Sequence, residues 1–363
     1  MQERWEALVT GRAQGLGPAL ARGVLRGLAT LYAAGLRANL WIYESGLKRR
    51  TRPALPVVSV GNLSLGGTGK TTATAFLARR LATCCKPGIV LRGYRRAGDE
   101  PVLVVSDGHR VRASVDDAGD EAVLLAHLLP GCALAVGKRR ERVVETLAQL
   151  GAQIALLDDG FQYFRMERAL DIVLLDALGD AAAWRLFPAG RLREPADNLR
   201  RADQVWITHA DLAGSEDLQR LRALAARCAH GKPVLLTRHR TGALRPLDPR
   251  RPVPRDVAGL RVAALSALGN PEAFEGSLSQ LGARVTPVRF ADHHRYTPQD
   301  WVHIARRAQA AGAELIVTTE KDAVKLRPPA EDCPPVAVLP CELEILEGEA
   351  ELEAALERLA ALI

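Results

Sequence analysis

Apolar and polar positions follow two regimes along the chain. Short apolar runs recur at residues 57–60, 89–91, 133–136, 154–157, 172–175, 205–208, 234–237, 262–265, 285–288, 315–318 and 336–339. They lack polar alternation, which predicts strands covered on both faces. Segments of helical length separate most of them, so the expected architecture is βα units building a mainly parallel sheet, with chemistry at the strand C-termini. Residues 101–106 and 110–113 around Asp107-Gly108 predict a hairpin, and 347–363 a closing helix. The opening is different. Residues 18–43 read as one amphipathic helix in which Arg22, Arg26, Thr30 and Arg37 fall within roughly 80° at 100° per residue. Leu25, Leu28, Leu31, Tyr32, Leu36 and Ile42 occupy the broad remainder. The arginines interrupt the apolar run well short of the ~18 residues a span requires. Trp41, Tyr43 and Lys48 to Arg50 suit a headgroup boundary, which favours a helix lying in a lipid interface. A core-packing helix with a solvated basic stripe is the competing reading.

A chain of 363 residues has room for two lobes, each with its own core. The expected partition is a basic amphipathic segment at 1–52, a core at 53–204 and a second α/β lobe at 205–363 that closes over the first. Hydrophobic content of 48% and charged content of 25% belong to a folded soluble protein and exclude extensive disorder. The six cysteines form no C-x-x-C pair and have no histidine at zinc spacing, so reduced thiols in a cytoplasmic protein are expected. Glu3 and Glu6 precede any apolar run, unlike a signal peptide. Of the net +7, residues 1–52 supply nine Lys or Arg against three Glu, a surplus of +6. Such a segment fits an anionic surface. No basic patch with interleaved aromatics follows it, so a nucleic-acid partner is not expected.

The strongest chemical signal is the run from Val57 to Thr72: a β-branched strand, then Gly66-Gly67-Thr68-Gly69, then Lys70-Thr71-Thr72 opening a helix. Glycines let backbone N–H groups converge on an anion, Lys70 adds a full charge, and Thr71 is placed to offer its hydroxyl to Mg²⁺. This is a P-loop, although Ser64 stands where the pattern has its first glycine. Asp158-Asp159, ending the strand at 154–157, are the acids expected opposite Lys70 at the metal. The Asp120-Glu121 pair reads either as site acids or as a complement to a helix dipole. Asp292-His293-His294 reads either as an oriented imidazole or as a polar loop.

Taken in order, these motifs resemble one family. They are Gly61-Asn62 through Thr71, Arg92-Gly93-Tyr94, Gly119-Asp120-Glu121, Asp158-Asp159-Gly160-Phe161-Gln162, Pro188-Ala189-Gly190 with Leu192-Arg193-Glu194-Pro195, Gly269-Asn270-Pro271, Phe290 to His294, and Thr319-Glu320-Lys321-Asp322-Ala323-Val324-Lys325. Across almost the whole chain this resembles the tetraacyldisaccharide 4'-kinases. The resemblance implies a P-loop NTPase-type parallel sheet wrapped by helices, with a second smaller α/β lobe and the N-terminal amphipathic helix. It also implies ATP and Mg²⁺ as cofactors and transfer of the γ-phosphate to the 4'-hydroxyl of a tetraacylated glucosamine disaccharide 1-phosphate. The chain would act as a monomer bound peripherally to the anionic cytoplasmic face of the inner membrane.

By the same resemblance Asp120 and His293 pair to activate the sugar hydroxyl, with Lys70 alongside them as a catalytic residue. Residues Gly66, Gly67, Thr68, Gly69, Lys70, Thr71 and Thr72 hold the nucleotide, and Thr71, Asp158, Asp159 and Glu121 the metal. Arg92, Tyr94, Gln162, Arg193 and Glu194 line the substrate site. Two positions depart from the family pattern: Tyr163 replaces a histidine, and Arg95 a glycine. Tyrosine lacks the neutral-pH acid–base chemistry of imidazole. Two rival classes also carry a P-loop of this kind. A partitioning-type ATPase requires a lysine just before the two glycines, where this chain has Leu65. In a P-loop kinase or ligase acting on a soluble metabolite the N-terminal helix would be core, a reading that vesicle flotation separates from the first.

Overall fold

The computed structural model describes residues 2–93, 96, 98, 100–179, 184–269, 271–327 and 333–363. Two helices, α1 (Gln2–Val9) and α2 (Leu16–Glu44), precede a first α/β unit. Its elements are β1 (Val57–Asn62), α3 (Lys70–Leu81), β2 (Pro87–Leu91), β3 (Leu103–Asp107), α4 (Val115–Ala118), α5 (Asp120–Leu128), β4 (Ala133–Val136), α6 (Arg140–Gln149), β5 (Ile154–Asp158), β6 (Leu170–Asp176), β7 (Gln204–Thr208), α7 (Ser215–Cys228) and β8 (Val234–Thr241). The second unit holds β9 (Arg245–Pro246), β10 (Arg261–Ser266), α8 (Pro271–Gln280), β11 (Arg284–Arg289), α9 (Pro298–Ala310), β12 (Leu315–Thr319), α10 (Glu320–Ala323) and β13 (Val336–Leu339). The chain then returns to the first unit through β14 (Cys341–Glu347) and α11 (Glu349–Ala360).

The first sheet has nine strands in the order β14-β8-β7-β6-β1-β5-β2-β4-β3. Its interior pairings are parallel, and the two edge strands, β3 and β14, are antiparallel. β1 connects through α3 toward β2 and its neighbour β6 connects the other way toward β7, and the crevice at the C-terminal ends of such a pair is where these folds bind ligands. The second sheet runs β11-β10-β12-β13-β9, with only β9 antiparallel. Of the expected hairpin, β3 forms and joins Val111 only through a bridge at Ser106.

The expected boundary after residue 204 differs from the boundary between the sheets. β7, β8 and β14 belong to the first sheet, and Trp206, Leu235, Leu343, Leu352 and Leu356 share one core with Leu77 of α3. The break falls instead after β8, where Gly242 leads into a stretch bearing Pro246, Pro249, Pro252 and Pro254. Proline has no N–H to extend a ladder, so the sheet stops there. Residues 196–201, expected as part of a connection, form a 3₁₀ helix whose Leu199 packs with Val205 and Ile207.

On α2 the apolar positions divide into two lines. Leu36, Leu40 and Tyr43 pack on Phe164, and Ala29 is buried on the same side. The Tyr32 hydroxyl donates to the Arg193 carbonyl (2.9 Å), and the Trp5 indole of α1 donates to that of Pro188 (3.0 Å). The opposite side carries Leu16, Leu20, Val24, Leu28, Leu31 and Trp41, all exposed. Core packing therefore accounts for one side of this helix, and the other side stays exposed in the fold. Among the described residues no helix is long and apolar enough to cross a membrane.

Candidate active site

The cradle is built by β1 and α3. Gly66 and Gly69 have φ of 117° and 80°, conformations that L side chains rarely adopt. Ser64 takes the place of a glycine without strain because its backbone is extended, bridged to Leu192. The loop is tied at both ends. The Asn62 side-chain amide donates to the Thr68 hydroxyl (2.9 Å), and the Leu65 N–H to the Arg191 carbonyl (2.6 Å). A Cβ on Gly67 would meet only open space, so the mouth of the cradle is clear. Lys70, Thr71 and Thr72 form the first turn of α3, whose amides and dipole face an anion bound there.

A chain of three side chains supports the far wall. His209 Nδ1 lies 2.8 Å from Asp176 Oδ1, and His239 Nδ1 lies 2.5 Å from His209 Nε2. The His239 ring covers Gly69 so closely that a Cβ there would fall 2.5 Å from its Cε1. Burial and the neighbouring His209 push the His239 imidazole down to about 4, so it is neutral at pH 7.

The two strand-end acids have different surroundings. Asp159, with φ of 55°, receives Arg193 Nη1 on both carboxylate oxygens (2.8 and 2.9 Å) and lies 3.8 Å from Lys70 Nζ. Burial opposes its ionisation, but Lys70 and Arg193 outweigh it and hold the carboxyl below its usual range. Asp158 is buried, and its Oδ1 has no hydrogen-bond partner. Burial, then the charge of Glu121, push it up to about 7. A buried acid with an orphaned oxygen, repelled by a second acid beside a phosphate cradle, fits a divalent cation. No three acid, histidine or cysteine side chains among the described residues converge as a ready-made cage. This suits Mg²⁺, which binds through phosphates, waters and one or two carboxylates. Asp158 and Glu121 with Thr71 therefore fit a metal better than Asp159, whose oxygens are already engaged by cations.

The second unit brings His293 onto Asp120. His293 Nδ1 lies 2.9 Å from Asp120 Oδ2, 173 residues away in sequence, at the first residue of α5. His293 has φ of 61°, a strained conformation for a non-glycine residue that aims its ring out of the loop after β11. His294 turns the other way, stacking on Phe290 and pairing with Asp300 (3.1 Å). Burial disfavours ionised Asp120, but His293, Lys321 and Lys325 outweigh it and lower its pKa.

The expected substrate residues do not all face the site. Glu194 is fully buried, accepting from Gln162 Nε2 (2.9 Å) and Asn198 Nδ2 (2.7 Å) and pairing with Arg201. In this structure the enclosed Glu194 carboxylate, expected to line the substrate site, braces the loop under Arg193. Gln162 also donates to the Asn62 carbonyl (3.0 Å), which makes it part of the same brace. Arg92, just past β2, is exposed. Tyr94, and Asn270 of the quoted motifs, lie outside the described residues. Tyr163 has a structural position: its hydroxyl donates to Glu141 (2.6 Å) and accepts the Arg140 N–H (3.3 Å) at the start of α6. Burial and Glu141 push its pKa up to about 12, so it stays protonated.

Sequence reasoning assigned no role to Arg140, which is buried and donates to the Asp159 carbonyl (2.9 Å), nor to Lys325, whose ammonium lies 3.9 Å from Asp120 Oδ2. The spacing of Asp322 and Lys325, one helical turn apart, was the available signal for the latter.

Residues 21–361 match the family model described as tetraacyldisaccharide-1-P 4'-kinase, LpxK. A tetraacyldisaccharide 4'-kinase from Anaeromyxobacter sp. (strain Fw109-5) is 41% identical over 331 residues, covering 90% of this chain and 88% of its own. One from Geobacter sulfurreducens is 37% identical over 358 residues and covers 98% of both. The crystal structure of the "apo" form of LpxK from Aquifex aeolicus in complex with ATP superposes with a TM-score of 0.74 at 30% identity, covering 93% of this chain and 99% of that one.

Proposed function

Since the chain belongs to the tetraacyldisaccharide 4'-kinase family, and so phosphorylates the 4'-hydroxyl of the lipid A disaccharide from ATP, we propose how its residues divide that work. The observation that carries the proposal is the 2.9 Å contact between Asp120 and His293, made by two separate units beside one phosphate cradle. Phosphoryl transfer asks for alignment and charge neutralisation more than for covalent chemistry. Backbone amides of residues 66–72 and the Lys70 ammonium hold the β- and γ-phosphates. Thr71 and Asp158, with Glu121 beside them, would hold Mg²⁺, which when bound neutralises charge on those phosphates.

An ionised Asp120 only accepts hydrogen bonds, so His293 carries its proton on Nδ1 and Nε2 is the basic nitrogen. As the bond from the 4'-oxygen to phosphorus forms, the hydroxyl proton passes to the Asp120–His293 pair, and ADP leaves. Arg193, locked on Asp159, keeps Lys70 and the strand end in register rather than gripping the sugar. Because His293 arrives from the second unit, the pair is complete only when that unit is docked, which limits wasteful hydrolysis.

We place the chain peripherally on the anionic cytoplasmic face of the inner membrane. The exposed apolar line of α2 would enter the lipid boundary, with Arg26 and Arg37 toward headgroups. The contacts of Tyr32 on α2 and Trp5 on α1 to the 188–193 loop support this reading, since Arg193 of that loop pairs with Asp159 beside the cradle.

Incubation with radiolabelled ATP and the disaccharide 1-phosphate should label the lipid. Lys70→Ala should lower transfer roughly 10²- to 10³-fold with the thermal midpoint unchanged, since it removes a charge at the phosphates. Near wild-type turnover in that variant would refute the cradle assignment.

A further inference from the structure

The segment from Thr319 to Lys325 takes no part in the chemistry assigned above, yet it ends beside the base pair. Thr319 caps α10: its hydroxyl accepts the Asp322 N–H (3.1 Å) and donates to Asp322 Oδ2 (2.9 Å). The same Oδ2 accepts the Ala267 N–H (3.0 Å). Asp322 is thus fixed in a fully buried socket of the second unit. One turn later, Lys325 places its Nζ 2.8 Å from Asp322 Oδ1, with the side chain only 5% exposed. Two further features surround the ammonium. The Tyr296 ring centroid lies 5.5 Å away, and Asp120 Oδ2 of the first unit lies 3.9 Å away. That oxygen is the one that meets His293 Nδ1.

A buried lysine needs a strong reason to be charged, and Asp322 supplies only half of the geometry. Two carboxylates from two units flank one ammonium, so the cation draws the first unit's acid toward the second unit's imidazole. Lys321 does the same for the neighbouring side chain: its Nζ lies 3.3 Å from Asp292 Oδ1, whose other oxygen is 3.7 Å from His293 Nε2. Resting on the reading of Asp120 and His293 as the base pair, we infer that Lys325, held by Asp322, is a positioning residue that sets Asp120 Oδ2 against His293 across the domain boundary. It touches neither nucleotide nor sugar. Its effect belongs in the chemical step and not in ATP affinity.

The test uses the full chain, labelled ATP and the disaccharide 1-phosphate. Lys325→Met should lower kcat roughly 10- to 100-fold, the size expected of a misplaced catalytic group, with KM for ATP within about twofold. Lys325→Arg should recover most of that loss. Because Lys325→Met strands a buried carboxylate, the paired variant Asp322→Asn with Lys325→Met removes both charges together. It should melt like wild type and still be slow. Full recovery of kcat in the pair would mean that Lys325 only neutralises Asp322, which overturns the inference. Failure of the pair to fold would assign Lys325 to the fold and overturn it equally.

In an Asp120→Asn background, Lys325→Met should cost less than about threefold more, since the two act as one unit. Independent, multiplying losses would overturn the inference while leaving the base pair standing. Wild-type turnover in Asp120→Asn alone would instead remove the base-pair reading itself.

Discussion

Replacing Leu20 and Leu31 together by glutamine tests the outer line of α2 where the fold has no stake in it. These side chains are 74% and 70% exposed and lie eleven residues apart, about 16 Å along the helix and on one side of it. Fully burying a leucine is worth about 1.5–3 kcal/mol, so moving the exposed share into lipid is worth about 1–2 kcal/mol each. Two amides that resist burial bring the combined loss to about 3 kcal/mol, roughly a hundredfold in partition at 1.4 kcal/mol per decade. The assay is flotation with vesicles containing anionic lipid, at low and high salt. Salt screens Arg26 and Arg37 but leaves the apolar contribution, so wild type should be released only in part and the variant almost completely. The thermal midpoint should not move. KM for dispersed lipid substrate should rise while that for ATP stays constant. A variant that partitions within about threefold of wild type at high salt would refute the reasoning and return the helix to the role of core packing.

Asp120→Ala and His293→Ala should not multiply: the double variant should lose little more transfer than the worse single one, because either change dismantles one unit. Single-turnover rates decide it, and multiplying losses would give the two residues separate roles. Gly61→Ala should destabilise by about 3 kcal/mol or more and weaken nucleotide binding, because its Cβ would lie 2.5 Å from Phe161 Cβ and 2.8 Å from the Phe161 nitrogen, where backbone must move. Thermal melts with and without ATP would show both losses, and an unchanged melt would contradict the packing at the start of the cradle. His239 is neutral in the fold, down at about 4 against 6.5 when unfolded, so its contribution to stability is full above pH 6.5 and is lost as pH falls toward 4. Melting wild type and His239→Leu across that window should show a steeper acid decline in wild type; parallel curves would contradict the buried neutral imidazole.

What the sequence determined by itself is what neighbours along the chain decide. The cradle from Val57 to Thr72 is a contiguous strand, turn and helix, whose glycines and first helical turn act on each other locally, so its chemistry was legible before any fold. The apolar runs named the strands for the same reason. Their assignment to sheets was not legible, because Val205 and Val234 carry the same pattern whichever sheet they join, and the alternating Cys341–Glu347 stretch was not named as a strand at all. Only packing against the α3 core placed β7, β8 and β14 in the first. The periodicity of α2 exposed two apolar directions, but only the position of Phe164 decided which one is covered. In the site, Asp120 and His293 were paired by family resemblance and not by pattern, since contacts 173 residues apart leave no periodic trace. Glu194 and Lys325 show the limit most directly. One carboxylate looked like a ligand for substrate and proved to be walled in by Gln162, Asn198 and Arg201, while one lysine without an assigned role proved to sit against Asp120. Burial and long-range charge pairing are properties of the folded volume, so only the tertiary structure could assign them.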